Sequence, residues 1–384
     1  MRHFLPLALL LLLTAADESS RIVVTFRSAS FNTEATVDLV PENITVVKQY
    51  GRRMVLYIGL ETNLTVFIAD ALGGSAAVER IETDTLVDTG DFNQTDDMLA
   101  ASEAPPLPWH LDPSEPYGLH MTPTLTSKNA SVVAILDSGL AAVAAAEWRP
   151  LSGYCFISSP DYTNTNLGRN PDFTDPGDQG PTCPTPSWHG TKTASIIKAV
   201  APSSKLSILR VLGRCGTGFA SDVTDAIVWA AGGGINGVRA NPHPAKVVSM
   251  SLAGKGPCPT YMQSAVNQAI TLGATLIAAA GNAGANAALY FPGNCKGVLS
   301  IGASTRQGTL ASYSNWGETL AFSAPGGDAA NPVQVTTVGW DGVLAIGYVM
   351  GTSFAAPHVA GVVLMLQAAN VSLADGGRYI PCAD

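Results

Sequence analysis

The sequence predicts an α/β protein in which helices cover both faces of a parallel sheet, giving three layers, preceded by a small α+β unit. From about residue 109, apolar strand-like runs alternate with helix-length segments, which is the order typical of a parallel sheet. Only 13 % of the residues are charged, against roughly 25 % in a typical soluble domain. Buried parallel strands carry few charges, so the composition agrees with the pattern.

The individual elements follow from the apolar pattern. Five runs are predicted as strands of the sheet: 131–136, 206–212, 246–252, 274–280 and 298–303. Four segments are predicted as helices: 191–200, 221–231, 261–272 and 353–369. The preceding α+β unit, residues 17–88, has β-rich runs at 22–26, 55–58 and 77–82. Its one helix-like stretch lies at 64–72.

Residues 1–16 have the features of a secretory signal peptide. Arg2 precedes an apolar stretch at 4–13, and the small residues Thr14 and Ala16 fit cleavage after Ala16. A run of about ten apolar residues is too short to span a bilayer, which needs roughly 20. A cleaved signal is therefore favoured over an uncleaved anchor, and we expect a secreted protein with no membrane attachment after signal removal.

Residues 89–108 are first acidic and then proline-rich, which predicts an exposed linker prone to cleavage. The net charge of −9 opposes binding to the phosphate backbone, so nucleic acid is not an expected partner.

The cysteines suggest disulfides and not a metal or redox site, because none forms a close C-x-x-C pair. An even number in an exported chain predicts three disulfides, with the pairing left open by the sequence. The six are Cys155, Cys183, Cys215, Cys258, Cys295 and Cys382. Five N-x-S/T sequons would be glycan acceptors in a eukaryotic secretory pathway and carry no meaning in a bacterium: Asn43, Asn63, Asn93, Asn129 and Asn370.

Three polar residues stand next to predicted elements without being decisive alone. Asp137 ends an apolar strand, where ligands of open α/β sheets bind, but a turn residue is the simpler interpretation. His189 precedes a helix rich in small residues, where a structural histidine is the simpler interpretation. Asn282 follows another apolar strand; its amide could donate to an oxyanion, although an asparagine after glycine is usually a turn residue.

The segment at 351–361, GTSFAAPHVAG, is more specific. Ser353 opens a predicted helix, whose unpaired N–H groups suit a developing negative oxygen. Gly351 permits close approach of a substrate backbone, and Pro357 is expected to be tolerated in the first helical turns. An N-cap serine would not explain the glycine before it or the small residues after it.

Together the four segments resemble the signature blocks of subtilisin-like serine proteases, in the proteinase K-like and secreted bacterial branch. The order Asp…His…Ser is that of subtilisin. The resemblance covers residues 109–370 and, more weakly, 22–88, which is similar to the family's inhibitory, chaperone-like propeptide. It implies a propeptide at 17–88, a maturation site within 89–108 and a catalytic domain at 109–384.

The resemblance implies a serine endopeptidase with a catalytic triad of Asp137, His189 and Ser353. The Asn282 side chain and the Ser353 N–H would bind the oxyanion of an acyl-transfer reaction. No cofactor is required for this chemistry. Polypeptide substrates and the chain's own propeptide are the expected partners, and the protein is expected to be a monomer.

The resemblance also implies the substrate-binding residues. One group is an edge segment that pairs with the substrate backbone, and a second group forms the walls of the specificity pocket. Together these residues are Ser251, Leu252, Ala253, Gly254, Ala279, Ala280 and Gly281. Residues 213–218 are expected on the other side of the substrate. No Asp or Glu occurs at 249–255 or 277–299. A pocket for Lys or Arg would want a carboxylate, so we expect broad cleavage with an apolar preference.

The resemblance further implies the disulfides Cys183–Cys215 and Cys258–Cys295, which leaves Cys155–Cys382 as the third pair. Lys192 stands where the family usually has a second histidine; because it is not the proton acceptor, we expect activity to survive. The residues after Gly139 lack the polar side chains of a calcium site found in relatives, so the metal ligands are unknown.

The acidic loop at 161–178 fits either a structural calcium site or a solvated loop, and the solvated loop is favoured because EF-hand spacing is absent. Its carboxylates are Asp161, Asp172, Asp175 and Asp178.

Two other functions are disfavoured. An α/β-hydrolase esterase needs G-x-S-x-G and the order Ser…Asp…His, whereas Ala355 stands two residues after Ser353. A catalytically silent binding protein on a protease scaffold would not need all four catalytic positions to be filled.

Overall fold

The computed structural model describes residues 19–26, 44–50, 54–60, 64, 67, 78–90, 107–118 and 131–369 of the 384. The chain divides into two compact units, Met1–Thr85 and Leu86–Asp384. The predicted signal peptide and all five sequons lie outside the described residues.

The smaller unit is built on a four-stranded antiparallel sheet in the order β2-β3-β1-β4. The strands are β1 (Ser19–Phe26), β2 (Ile44–Tyr50), β3 (Met54–Leu60) and β4 (Val78–Thr83). Alternate residues of β1, such as Ile22, Val24 and Phe26, are buried with Leu64 and Phe67, both of which have helical backbone. An antiparallel sheet with these two helical residues in its core agrees with the predicted α+β unit.

The larger unit contains a seven-stranded sheet in the order β17-β16-β14-β12-β6-β10-β8, and every pairing in it is parallel. The strands are β6 (Val132–Asp137), β8 (Ser152–Cys155), β10 (Lys205–Arg210), β12 (Val247–Met250), β14 (Thr275–Ala279), β16 (Val298–Ser304) and β17 (Leu320–Pro325). The predicted parallel sheet is confirmed.

Helices pack on the sheet in pairs. They are α1 (Ala142–Trp148), α2 (His189–Val200), α3 (Ala220–Ala230), α4 (Thr260–Thr271) and α5 (Thr352–Ala368). Helix α2 packs against α5, and α3 against α4. On β6, Val133 and Ile135 join the core beneath α2 and α5, and the alternate residues Ala134 and Leu136 point to the opposite face. This alternation produces the predicted three layers.

The remaining strands are short or form a separate hairpin. They are β5 (Leu86–Asp88), β7 (Leu140–Ala141), β9 (Thr174–Asp175), β11 (Thr217–Phe219), β13 (Gly254–Lys255), β15 (Tyr290–Phe291), β18 (Val333–Val338) and β19 (Leu344–Val349). Strands β18 and β19 pair with each other as an antiparallel hairpin.

Two of the three expected disulfides join described residues. Cys183–Cys215 and Cys258–Cys295 are bonded, with Cα–Cα distances of 5.6 and 5.2 Å. Cys155 is buried and forms no disulfide with another described residue, so the Cys155–Cys382 bond stays a prediction. Its sulfur lies 3.9 Å from Arg210 Nη1 in the interior. Cys382 itself lies outside the described residues.

In the part of the chain that the structure describes, we find no helix with the length and apolar character needed to span a membrane.

Candidate active site

The polar residues singled out from the sequence gather at the carboxyl edge of the parallel sheet. Asp137 is the last residue of β6, Ser251 directly follows β12, and Asn282 follows β14. His189 begins α2, and Ser353 is the second residue of α5. Because all carboxyl ends of parallel strands meet at one edge, the sheet brings distant segments of chain to the same place.

Asp137 and His189 form a buried, hydrogen-bonded pair. His189 Nδ1 lies 2.7 Å from Asp137 Oδ1, and both residues are 1 % exposed. The Asp137 carboxylate also accepts the Ser138 N–H at 2.7 Å and the Thr193 hydroxyl at 3.1 Å. A carboxylate surrounded by donors only accepts, so Nδ1 carries the imidazole proton. In the neutral ring, Nε2 is then the proton acceptor.

The glycine after His189 is required by close packing. A Cβ atom at Gly190 would lie 2.1 Å from the carbonyl oxygen of Gly139, in the turn that follows Asp137. The absence of a side chain lets the start of α2 approach the Asp137 turn. This approach brings the imidazole within hydrogen-bonding distance of the carboxylate.

Asn282 is held in one orientation by the start of α5. Its Oδ1 accepts both the N–H and the hydroxyl of Thr352, each at 2.8 Å. Since Oδ1 is occupied, the amide nitrogen points the other way and donates to the carbonyl oxygen of Gly90 at 3.2 Å. The side chain is thus a fixed hydrogen-bond donor directed at a peptide carbonyl.

Pro357 leaves one carbonyl of α5 without its helical partner, and Ser251 replaces it. In a regular helix the N–H of residue 357 would donate to the oxygen of Ser353, but proline has no N–H. The Ser251 hydroxyl donates to that oxygen instead, at 2.6 Å. Pro357 is therefore tolerated through a distant hydroxyl and not, as predicted, because it lies in the first turns. The Ser251 side chain thus supplies the hydrogen bond that the first turns of α5 lack.

The chain itself occupies the groove between two strand-like segments of the larger unit. Strand β5 pairs antiparallel with β11. On the other side, the N–H of Asp88 donates to the oxygen of Ala253 at 3.0 Å, and the N–H of Ala253 donates back to Asp88 at 2.9 Å. Leu86–Asp88 therefore lies as an added middle strand, which is a general mode of peptide recognition.

The two residues after this strand reach Ser353 and Asn282, respectively. The Ser353 hydroxyl lies 3.1 Å from the oxygen of Thr89 and 3.4 Å from that of Ser251. The next carbonyl, that of Gly90, faces the Asn282 amide. The Ser353 hydroxyl oxygen and the oriented amide thus meet consecutive peptide units of one segment.

Residues 128–375, more than half of the chain, match the model of the subtilase family, peptidase S8. The chain belongs to the subtilase family. It is 39 % identical over 270 residues to an extracellular protease of Xanthomonas campestris, covering 65 % of this chain and 46 % of that protein. It is 38 % identical over 265 residues to an extracellular basic protease of Dichelobacter nodosus, covering 62 % of this chain and 43 % of that protein. The chain thus spans less than half the length of these two relatives.

Solved structures of subtilases share the fold. A protease from Pseudoalteromonas arctica has a TM-score of 0.63 and 38 % identity, covering 69 % of this chain and 86 % of that one. The epidermin leader peptide processing protease of Staphylococcus aureus, as its S393A mutant, gives a TM-score of 0.67 at 17 % identity, covering 91 % of this chain and 89 % of that one. At that identity the second likeness concerns the fold alone.

The substrate-binding residues inferred for this subtilase are only partly in contact with the segment in the groove. Ala253 pairs with it through its backbone. Gly281 instead donates its N–H to the Thr352 hydroxyl at 3.2 Å, and Ala280 donates to Ile301. Leu252, Gly254, Ala279 and Ala280 are buried. Their assignment to the pocket walls stays a prediction.

Asn315 is a buried residue of this region that the sequence reasoning missed. Its amide donates to the oxygen of Ala280 at 2.7 Å and accepts the N–H groups of Ala283 and Ala285 at 3.1 and 3.0 Å. It therefore fixes the turn that carries Asn282. An isolated asparagine about thirty residues away gives no local signal of such a role.

The acidic loop is solvated at Asp161 and Asp172, as expected, but not at its other two carboxylates. Asp175 and Asp178 are each only 3 % exposed, and their carboxylates accept hydrogen bonds from protein donors. Asp172 is exposed and accepts the N–H of Thr174. Among the described residues, no group of three or more His, Cys, Asp or Glu side chains is arranged to hold a metal ion.

Proposed function

We propose that this subtilase is a secreted serine endopeptidase that hydrolyses peptide bonds through Asp137, His189 and Ser353 and is made as a self-processing zymogen. The observation that carries the proposal is the groove: its own chain lies there as an added strand, with consecutive carbonyls at Ser353 and Asn282. The names of its relatives, both extracellular proteases, support secretion.

In the first step, His189 Nε2 takes the Ser353 hydroxyl proton as the serine oxygen bonds to the substrate carbonyl carbon. Asp137 keeps the imidazole in the required tautomer and stabilises the imidazolium that forms. The carbonyl π electrons move to the oxygen, giving a tetrahedral oxyanion. The imidazolium then protonates the leaving amine, and the C–N bond breaks to leave an acyl-enzyme that water hydrolyses by the same route.

The oxyanion would form where Asn282 is directed. Thr352 occupies Oδ1, so the amide donor is in place before the charge develops. We expect Asn282→Ala to lower kcat by about 100- to 1,000-fold, the usual cost of losing one such donor. A kcat unchanged in that variant would contradict this role.

For the zymogen, we assign Gly90–Asp91 as the bond that is cleaved. The carbonyl attacked is the one that faces the oxyanion donor, and this is the carbonyl of Gly90. The assignment falls inside the predicted maturation region, 89–108. After cleavage, the residues before the bond would remain bound in the groove as strand β5. A cleaved propeptide held in this way would inhibit the enzyme by blocking access of substrates.

The preference for apolar residues is supported by the same segment. Val87, three residues before Gly90, is completely buried while Leu86 and Asp88 on either side are exposed. Alternation along an added strand directs every second side chain toward the protein. The groove therefore accepts a β-branched apolar side chain at this position.

N-terminal analysis of the secreted wild-type and Ser353→Ala proteins tests the proposal. We expect wild-type protein to begin at Asp91 and to hydrolyse peptide substrates, whereas Ser353→Ala remains joined across Gly90–Asp91 and inactive. Ser203→Ala, at an exposed serine, is the matched control and should process normally. Processing by Ser353→Ala, or absence of fluorophosphonate labelling of wild-type Ser353, would overturn the assignment and favour a silent binding scaffold.

A further inference from the structure

Helix α2, which carries His189, lacks a side-chain cap of its own. Trp188 precedes it in a left-handed conformation, with φ 50° and ψ 32°, and makes no capping hydrogen bond. The first N–H groups of any helix have no partner within the helix. The N–H groups of His189 and Gly190 must therefore be satisfied from elsewhere, since both residues are buried.

Two serines from outside the helix accept these N–H groups. The N–H of Gly190 donates to the Ser138 hydroxyl oxygen at 3.0 Å, and that of His189 to the Ser187 hydroxyl oxygen at 3.2 Å. A hydroxyl that accepts one hydrogen bond still has its own proton to donate. The position of each serine oxygen thus depends on where that proton goes.

Each serine proton goes to a buried carboxylate. Ser138 donates to Asp175 Oδ2 at 2.7 Å, and Ser187 donates to Asp178 Oδ2 at 2.6 Å. The second oxygen of each carboxylate is also occupied, by the Gly177 N–H at 2.8 Å and the Ser187 N–H at 2.6 Å. Both carboxylates are consequently fixed, and the serines are fixed with them.

Burying a carboxylate costs free energy of desolvation, so two buried carboxylates at one place suggest a role other than packing. Burial raises the pKa of Asp175 to about 7, and the neighbouring Asp178 acts in the same direction. The Ser138 hydroxyl, the Gly177 N–H and the Arg210 guanidinium lower the pKa. Perturbed carboxyl groups of this kind are concentrated at functional sites.

We propose that Asp175 and Asp178 are positioning residues for His189, acting through Ser138 and Ser187 on the first two N–H groups of its helix. The inference rests on the proposed function. The two links hold the start of α2 so that the imidazole stays on Asp137, which leaves Nε2 as the nitrogen that accepts the proton in the proposed reaction. Negative charge near a helix N-terminus adds to this stabilisation.

A double-mutant cycle of Asp175→Asn with Ser138→Ala tests whether the carboxylate acts through the serine. We expect each single variant to lower kcat by about ten- to a hundred-fold, the cost of a misplaced catalytic group. The double variant should be no slower than the slower single one, because all three variants weaken the same link. Asn has one acceptor oxygen where Asp175 has two, and Ser138 and the Gly177 N–H must compete for it. The KM should change less than twofold, since neither residue contacts β11 or Ala253.

The same cycle on Asp178→Asn and Ser187→Ala tests the second link, and Asp172→Asn is the matched control. Asp172 lies on the same loop but is exposed, so its replacement should leave kcat and KM unchanged. Ser138→Thr keeps the hydroxyl and should retain a kcat near that of wild type. Rates are divided by the number of sites that a fluorophosphonate probe labels, which removes differences in folding.

The outcomes separate this inference from the proposed function. If wild-type protein hydrolyses peptides and Ser353→Ala does not, but the cycles are additive or the losses appear in KM, the positioning role is overturned and the function stands. If Asp175→Asn yields no folded protein, a kcat for Ser138→Ala equal to that of Ser138→Thr overturns the role. Wild-type protein without hydrolysis would contradict the proposed function itself.

Discussion

Two histidines packed against each other make the stability of the larger unit depend on pH. His110 Nδ1 lies 2.8 Å from His358 Nε2, and His358 Nδ1 lies 2.7 Å from the carbonyl oxygen of Phe354. A carbonyl only accepts, so His358 carries its proton on Nδ1 and accepts from His110 at Nε2. Both rings are 1 % exposed, and the bond between them needs both rings to be neutral.

Protonating either ring in the folded protein is unfavourable. Burial lowers the pKa of His358 from 6.5 to about 4. Burial, and secondly the neighbouring His358, lower the pKa of His110 as well. A depressed pKa in the folded state means that stability is complete above the unfolded pKa of 6.5 and is lost as pH falls toward 4. At pH 5, 1.5 units below the unfolded value, each ring costs about 2 kcal/mol.

The variant His110→Phe isolates one ring. It is made in the Ser353→Ala background to avoid self-digestion, and unfolding by urea is followed by tryptophan fluorescence at pH 7 and pH 5. At pH 7 we expect it to be less stable than its parent by about 1–3 kcal/mol, because His358 Nε2 loses its donor. At pH 5 the difference should shrink by about 2 kcal/mol, since the variant no longer carries that ring.

The comparison excludes other titrating groups. Asp175, whose raised pKa makes stability fall as pH rises toward 7, is present in both proteins and cancels. His243→Phe, at an exposed histidine, is the control variant and is measured at the same two pH values. A stability difference for His110→Phe that is equal at pH 7 and pH 5 would refute the reasoning.

Ser251, which binds the start of α5, and Gly190, which follows His189, each give a further prediction. Ser251→Ala should lower the free energy of unfolding, measured in urea, by about 1–3 kcal/mol, because the Ser353 carbonyl oxygen loses its donor. Adding Pro357→Ala returns a backbone N–H to the helix and should recover part of that loss. Gly190→Ala should destabilise the protein by about 1–3 kcal/mol and lower kcat, because the new Cβ meets the Gly139 oxygen. Melting temperature and kcat equal to those of wild type would contradict this steric account.

The central elements of the fold were predictable because each has a local signal. Buried strands such as β6 and β14 are short apolar runs, and the helices that cover them have matching lengths. The bounds differ from the prediction by one or two residues at most ends. The edge strand β8, with the sequence SGYC, was missed because it is mostly half-buried and has neither an apolar run nor alternation.

The acidic loop shows where local reasoning fails. Aspartates among Asn, Gly and Pro usually lie in solvent, so Asp175 and Asp178 were expected there. They are buried because serine hydroxyls and backbone N–H groups supply the hydrogen bonds that water would otherwise make.

The sequence by itself determined the chemistry available to this subtilase: a carboxylate at the end of one strand, an imidazole and a hydroxyl at the starts of two helices. These are local facts, since each depends on a few adjacent residues. Only the tertiary structure decided which groups hold them, as with Ser251 under Ser353, 102 residues apart, or Asp175 on Ser138, 37 apart. A hydrogen bond between distant segments leaves no periodic trace in either segment, because its energy depends on the geometry that the whole fold creates.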